Sequence, residues 1–559
     1  IEVFAEQPQI VTPTGIDVDH RGRVFAIESN THFRPEDYQG HPSDRVLVMS
    51  DSDNDGKADE ITVFTDGLKF SMSVVVRPIW FPLYNPAEIA NKKSEISNPK
   101  QSVYIATRSE IFLFHDDDGD DKADRKESIV RLETKGDYPH NGLAGFAIDP
   151  LGWMYFGFGE NLGADYKIIG SDGKLLSGGG EGGNIYRCRL DGSHLNQVAT
   201  GFWNPHANCF DAFGRLFSVD NDPDSRPPCR LLHVIPGGDY GYRFRNGRKG
   251  LHPFTAWNGE IPGTLPMVAG TGEAPSGIVA YESDGLPEEY LGNLFVTSWG
   301  DHRIDRFRLQ PKGTSFTSLA EPLITGGEDF RPVGIATGPD GSLYCTDWVL
   351  RDYKLHGHGR IWKISPIKPR TEPVLDLVKV QQSSSSDAMK LLFCSKRLDV
   401  RRVAARRLLE VDQLPNEIPG QPACQELLPR APLEAAWLAA PTDLRAEKLL
   451  PEQRPAADVQ LWSQLIPVLD GPHYLVDRLS PKEVTDRVFA GASKEFASSS
   501  HPNAQFALLA QLAELDYQNN RAVIPLVLSI DDPFVMAVVV NALTTQFSQE
   551  NFARYLIPD

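Results

Sequence analysis

The stretch GDYPHNGLAGFAIDPLGWMYFGFGEN, residues 136–161, decides the fold. It reads as a short apolar strand, a turn carrying Asp, Pro and Gly, a second strand of alternating aromatic and aliphatic residues, and a polar ending. The same plan recurs in GIDVDHRGRVFAIESN (15–30), NCFDAFGRLFSVDND (208–222), LPEEYLGNLFVTSWGD (286–301) and GIATGPDGSLYCTDW (334–348), and more weakly in SVYIATRSEIFLFHDDD (102–118). Six such units at irregular spacing predict an all-β six-bladed β-propeller over residues 1–366. In that arrangement the innermost strand of each blade lines a central channel, so the polar residues expected at its end gather at one mouth. They are Glu28, Asn30, Arg108, Glu160, Asn161, Asp220, Asn221, Trp299, Asp301, Asp347 and Trp348. Taken singly, each also reads as a strand-ending turn residue.

The texture changes near residue 366. A Pro- and Ser-rich connector is expected over 367–386, and an all-α, HEAT-like α-solenoid over 387–559, from helical spacing in DAMKLLFCS, LDVRRVAARRLLEV, LEAAWLAA, NAQFALLAQLAEL and DPFVMAVVVNALTT. In the second of these Asp399 is expected to cap, with Val400, Val403, Ala404 and Leu408 facing a neighbouring helix. Arg401, Arg402, Arg406 and Arg407 read as a solvated face, and the helical half as a docking surface for a partner.

A formal charge of −19 argues against nucleic acid and anionic lipid and suits a neutral solute or a divalent cation. No run of about 18 apolar residues is present, so no membrane span is expected. Six cysteines without a C-x-x-C pair write neither a zinc ribbon nor a haem attachment. A first residue of Ile1 fits the removal of a leader, so a periplasmic or otherwise exported protein is expected.

DSDNDGKADE (51–60) sets Asp51, Asp53, Asp55 and Asp59 at offsets 1, 3, 5 and 9 around Gly56. DDDGDDKADRKE (116–127) repeats this with Asp116, Asp118, Asp120 and Asp124, adds Glu127, and puts Asp121 where the glycine would be. Crowded carboxylate oxygens repel unless a cation joins them, so both read as Ca²⁺ loops that staple a blade, or as solvated acidic turns. The flanking segments are strands, which excludes EF-hands.

His140 stands before the strand pair of the opening stretch, and Glu160 follows it. An imidazole there can simply bond to backbone; it can equally take a proton from a hydroxyl, with a carboxylate fixing its tautomer.

The order HNGLAGFAIDPLGWMYFGFGEN, GGNIYRCRLDG, GFWNPHANCFDAFGRLFSVDNDPDS and VIPGGDYGYRF resembles the soluble pyrroloquinoline-quinone (PQQ) dependent glucose, aldose and sorbosone dehydrogenases, over roughly residues 10 to 366. The whole layout is similar to bacterial membrane-bound dehydrogenase proteins that join a propeller to helical repeats, many with a cytochrome c domain. The resemblance implies oxidation of a sugar or alcohol hydroxyl, with PQQ and Ca²⁺ as cofactors and a cytochrome c as electron acceptor. It makes His140 the general base and Glu160 its orienting acid. Asn204 matches a cofactor-contacting asparagine, the carbonyls of Asp222 and Pro223 match those that hold a catalytic Ca²⁺, and Arg303 is a looser candidate for a PQQ carboxylate. The residue before the asparagine is Trp203 here, where the dehydrogenases carry an arginine against the quinone. Trp203, Trp299 and Trp348 could instead stack on sugar rings or equally be ordinary core, and a non-redox glycan-binding propeller and a calcium-dependent lactonase-like hydrolase stay open as alternatives.

Overall fold

The computed structural model describes residues 1–81, 101–138, 140–149, 152–367, 373–410, 524 and 532–547. Six sheets of four to six strands, antiparallel apart from the short parallel pairing of Asn196–Phe202 with Gly238–Asp239, form the blades. Each begins with one strand of the set Pro13–Val18, Ser71–Val76, Leu143–Ile148, Asn204–Phe210, Pro275–Ala280 and Pro332–Thr337. Every one of these packs against its counterpart in the next blade, and the sixth packs against the first, so they ring a central axis. The outer strand of the last blade is Glu2–Glu6, paired with Arg360–Ile364, which ties the start of the chain to the end of the propeller.

The apolar pattern follows from this stacking. Phe25, Ile27, Val46 and Val48 of the first blade share one core with Val74, Val103, Ile105 and Phe114 of the second, and Phe217, Leu231, Ile278 and Val296 do the same between the fourth and fifth. Each such side chain contributes roughly 1.5–3 kcal/mol by leaving water.

Strand direction sets the site. In each blade the first strand starts, and the second ends, at the same face of the disc. The polar residues of the repeat therefore do share a mouth, but they end the second strands (Val24–Glu28, Trp153–Phe158, Leu216–Asn221, Leu343–Asp347), one strand out from the axis. Both strands of a unit are apolar and short, so the sequence pattern did not distinguish the inner one. The innermost pair is bulged near the mouth in every blade, between Pro13 and Ile16 in the first and between Ala144 and Ala147 in the third, for example. A bulge of this kind redirects the chain as it leaves the sheet.

Helices Leu377–Gln381, Ser385–Cys394, Leu398–Leu409 and Pro533–Gln546 lie against the opposite face. The first falls inside the expected connector. The Leu398 amide donates to Glu282 at 3.0 Å, and Arg406 donates to the Ile79 and Phe81 carbonyls at 3.1 and 2.8 Å. Val400, Val403, Ala404 and Leu408 are buried as expected, in a cluster shared with Trp80 and Tyr104 of the propeller. The arginines correct the sequence reading: Arg401 and Arg402 are buried, because Arg401 turns back to the Ser395 and Lys396 carbonyls and Arg402 stacks over Trp80 at 4.6 Å. Asp399 sits inside the first turn and pairs with Arg397 instead of capping. Asp532 does cap its helix, accepting from the Phe534 and Val535 amides. The segments LEAAWLAA and NAQFALLAQLAEL lie outside the described residues.

Candidate functional site

The mouth is built around residues 136–142. Asn161 accepts from the Tyr138 amide at 3.1 Å and donates to the Asn141 carbonyl at 2.9 Å, while Asn141 donates back to the Glu160 carbonyl at 2.6 Å. From the next blade, Asn204 donates to the His140 carbonyl at 3.2 Å. His140 is thus pinned by its backbone from two blades, and its ring is left to the mouth. Gly159 is required here, since a Cβ would lie 2.7 Å from both Asn141 and Asn204.

Most carboxylates of the expected polar ring hold loops. Asp220 accepts from the Trp203 and Asn204 amides and pairs with the fully buried Arg230 at 2.5 Å. Asp347 accepts from the Arg331 and Val349 amides, and Glu28 pairs with Arg45. Glu160 accepts from the amides of Gly163 at 2.7 Å and Gly182 at 3.1 Å. Burial raises its pKa and these amides oppose the rise. Both its oxygens are engaged there, so it does not orient the His140 imidazole as expected; it fixes the loop behind it.

Among the described residues none exchanges a hydrogen bond with the His140 ring. Its neighbours are rings: His32 at 4.5 Å, Tyr353 at 4.8 Å, and Phe33 and Tyr138 at 5.6 Å between centroids. Tyr353 in turn stacks on Trp299 at 5.1 Å and 10°. Phe33 and Tyr353 are 43% and 50% exposed, so this aromatic wall opens to solvent. Burial, and then the proximity of His32 and His206, pull the His140 pKa well below the ordinary histidine value. His32 is held at about 4 by burial and then by His206, and burial lowers His206 as well. All three imidazoles are therefore neutral at neutral pH.

The other residues singled out from the sequence divide sharply. Trp203 is buried in a core with Tyr242 and Trp257, and Trp348 is equally buried; they back the mouth residues Tyr138 and His32, and of the three tryptophans only Trp299 is part-exposed. Arg303 is taken up by Asp301 at 3.3 Å and Asp305 at 2.8 Å. Asp222 caps its own loop through the Asp224 and Arg226 amides. The Pro223 carbonyl accepts from the Arg248 guanidinium at 3.1 Å. Arg248 is itself paired with Asp224 at 2.7 Å, so the Pro223 carbonyl is engaged in that network and is not free for a catalytic Ca²⁺. Close by, ligand atoms of Asp222, Cys229 and Glu273 lie within 4.8 Å of one another, but burial and Glu273 push the Cys229 thiol pKa up and keep it protonated.

Sequence reasoning missed His32, Phe33, His206, Arg248 and Tyr353. Arg248 lies over the Trp203 ring at 4.9 Å and bonds to Tyr138, putting a cation in space where the motif has lost one in sequence. For His32, Phe33 and Tyr353 the available signal was compositional, histidine and aromatics beyond the strand ends; His206, inside a strand, and Arg248 carried none.

The two acidic loops join third to fourth strands, which puts them on the face away from His140. Carboxylate oxygens of Asp51, Asp53 and Asp59 lie within 4.8 Å of one another, as do those of Asp116, Asp118 and Asp124. Asp55 and Asp120 turn instead to the Lys57 and Lys122 amides, and Glu127 pairs with Arg125. Asp121 adopts φ 64°, the left-handed conformation that Gly56 takes at φ 92°. Among the described residues one Asp51 oxygen is buried without a partner, as a cation ligand would be. The donor set of both loops fits Ca²⁺.

The family described as a domain of unknown function, DUF7133, matches residues 1–78 and 94–368. The chain belongs to that family. No curated protein matches the DUF7133 chain. Among solved structures it is similar to the PQQ-bound aldose sugar dehydrogenase of Streptomyces coelicolor (17% identity, 65% of this chain and 96% of that one, TM-score 0.44). It is also similar to an oxidoreductase (glucose dehydrogenase) of Thermus thermophilus (15%, 65% and 99%, 0.43) and to the soluble aldose sugar dehydrogenase of Escherichia coli in its apo form (16%, 65% and 99%, 0.42). These are members of the group that the sequence motifs resemble. Among the described residues no helix is long and apolar enough to cross a membrane.

Proposed function

We propose that this chain is a quinone-dependent oxidoreductase that removes hydride from a hydroxyl-bearing carbon of a sugar or alcohol at the His140 mouth. The observation that carries the reading is His140 itself: a neutral imidazole, free of hydrogen bonds among the described residues, in an aromatic-walled opening on the axis of a propeller. Such a ring has its lone pair available for a hydroxyl proton.

A flat quinone bearing carboxylates fits this opening. Trp299 and Tyr353 offer faces, and Arg351 and Lys354 are exposed on the Tyr353 loop, while Arg248 is already paired with Asp224 at 2.7 Å. When bound, PQQ would supply the acceptor for the hydride pair. The chain's own residues do the rest: the rings seat the sugar, His140 takes the proton as the O–H bond breaks, and Asn204, Asn141 and Asn161 hold the His140 loop still. No step is assigned to a mouth calcium. Ca²⁺ is proposed for the Asp51 and Asp116 loops, where it would brace blades. An exported location and a cytochrome acceptor complete the reading.

The half-exposed Trp299–Tyr353 stack also favours a second reading, sugar binding without redox chemistry. Titrating the full chain with PQQ, and following dye reduction over a panel of aldoses and alcohols, separates the two. Saturable quinone binding with substrate-dependent reduction is expected; sugar binding with no quinone binding would leave only the second reading.

A further inference from the structure

Between the second strand of the first blade, Val24–Glu28, and its third, Asp44–Ser50, the chain leaves the sheet at the mouth and returns through residues 29–43. Both limbs of this loop are tied down. At its base Asp44 accepts from the Asn30 and Thr31 amides at 2.7 and 2.9 Å, and from the Ser71 amide of the next blade at 2.8 Å. At its centre the Arg34 guanidinium donates to four carbonyls. One nitrogen takes Asn30 at 2.7 Å and His41 at 2.6 Å; another takes Tyr38 at 3.2 Å and Gly40 at 3.0 Å. The guanidinium also lies over the Tyr38 ring at 4.9 Å. Glu36 and Asp37 stand exposed in the same loop, yet among the described residues no carboxylate pairs with Arg34. A planar fork of fixed donors is spent on holding two limbs of backbone together, a task that the single ammonium of a lysine does not match.

What this clamp holds is the residue beside it. Phe33 has φ 41°, in the left-handed region that aromatic residues rarely adopt. Its side chain is not buried in exchange: the residue is 43% exposed. The Phe33 ring meets that of His140 at 5.6 Å and that of Tyr353 at 6.3 Å. A strained backbone that keeps an apolar ring in water does nothing for the core. Such strain persists where the surroundings over-determine it, and it concentrates at ligand sites.

We propose that Phe33 is the residue on which the ring of a sugar substrate lies, and that Arg34 is a positioning residue acting through Phe33. The inference rests on reading the His140 mouth as the sugar site, with or without redox chemistry. A pyranose presents C–H groups on its faces, and these pack on an aromatic ring. Phe33 and Tyr353 both border His140, at 5.6 and 4.8 Å, so a cyclic sugar whose hydroxyl reaches the imidazole touches both rings. A short linear alcohol that reaches the imidazole has no face to lay on Phe33.

The first test needs no quinone. In calorimetry on the full chain with D-glucose, Phe33→Ala should bind about 10-fold more weakly than wild type. Phe33→Leu, apolar but without a flat face, should bind almost as weakly, and Phe33→Trp should keep wild-type affinity. Arg34→Lys should lose the same factor as Phe33→Ala, and the double variant should lose no more than either alone. Added guanidinium ion should restore Arg34→Lys and leave Phe33→Ala unchanged. Phe33→Ala at wild-type affinity would overturn the proposal, as would a wild type that binds no glucose. Losses that multiply in the double variant, or an Arg34→Lys loss that guanidinium does not repair, would overturn the positioning role. The second test uses the quinone-loaded chain: Phe33→Ala should raise KM for glucose about 10-fold with kcat within about twofold, and leave kcat/KM for 1-propanol unchanged. An equal loss on both substrates would overturn the proposal. A chain that binds glucose through Phe33 and reduces no dye would instead remove the oxidoreductase reading and leave this one standing.

Discussion

The two faces of the propeller handle carboxylates in opposite ways. At the mouth, Asp220, Asp347 and Glu160 are buried and saturated by backbone amides or by a buried guanidinium, so the groups left free are neutral rings. On the far face the Asp51 and Asp116 loops leave three carboxylates crowded together near solvent. The same residue type therefore seals one surface and invites a cation to the other. What decides is position: a carboxylate that ends a second strand meets the amides of the neighbouring loop, whereas those in a third-to-fourth-strand turn accept amides from their own turn and stay crowded against one another.

The comparison can be broken most violently at Asp220. Replacing it by Ala strands the buried Arg230, and the chain should lose about 3–5 kcal/mol in urea unfolding; a loss below about 1 kcal/mol would mean that the strand-end acids are not staples.

A slightly smaller effect belongs to pH. His32 is held at about 4, below its unfolded value near 6.5. Between those values the unfolded chain binds a proton that the folded chain refuses, so stability falls as pH drops through that window and is unaffected above it. At about 1.4 kcal/mol per unit the total is roughly 3 kcal/mol. His32→Asn should flatten the acid limb of a stability curve by that amount; an unchanged limb would show that His32 titrates normally.

On the other face the expected response is to metal. Ca²⁺ at about 100 times its dissociation constant should add about 2.7 kcal/mol per occupied loop, and Asp51→Asn should abolish the increment from the first. Calorimetry with and without chelator measures it, and an identical melting curve in both conditions would return the loops to plain acidic turns. The smallest effect separates the two loops from each other. Gly56→Ala meets both a left-handed φ of 92° and Glu2 at 2.7 Å, and should cost about 1–2 kcal/mol, while Asp121 already shows that a side chain can occupy the equivalent place in the second loop.

Much of the fold was legible because a strand repeat leaves a period-two apolar pattern that survives divergence. The inner strand of each unit was not, since both of its strands are short and apolar. His140 could be singled out from its place before a strand. Its companions could not: nothing in the sequence links position 32 to 140 or 206, and only closure of the ring makes them neighbours. Arg248 escaped for the same reason. The buried Arg401 and Arg402 were misread because charge on a helix ordinarily means water, and here the Ser395 and Lys396 carbonyls and the Trp80 ring take its place.

The account turns on a neutral His140 acting as base beside a bound quinone. Rapid mixing of the PQQ-loaded chain with an aldose, read at the quinone absorbance, tests it in one turnover. His140→Gln should bind the quinone with wild-type affinity and reduce it at least about 100-fold more slowly; reduction at the wild-type rate would contradict the account.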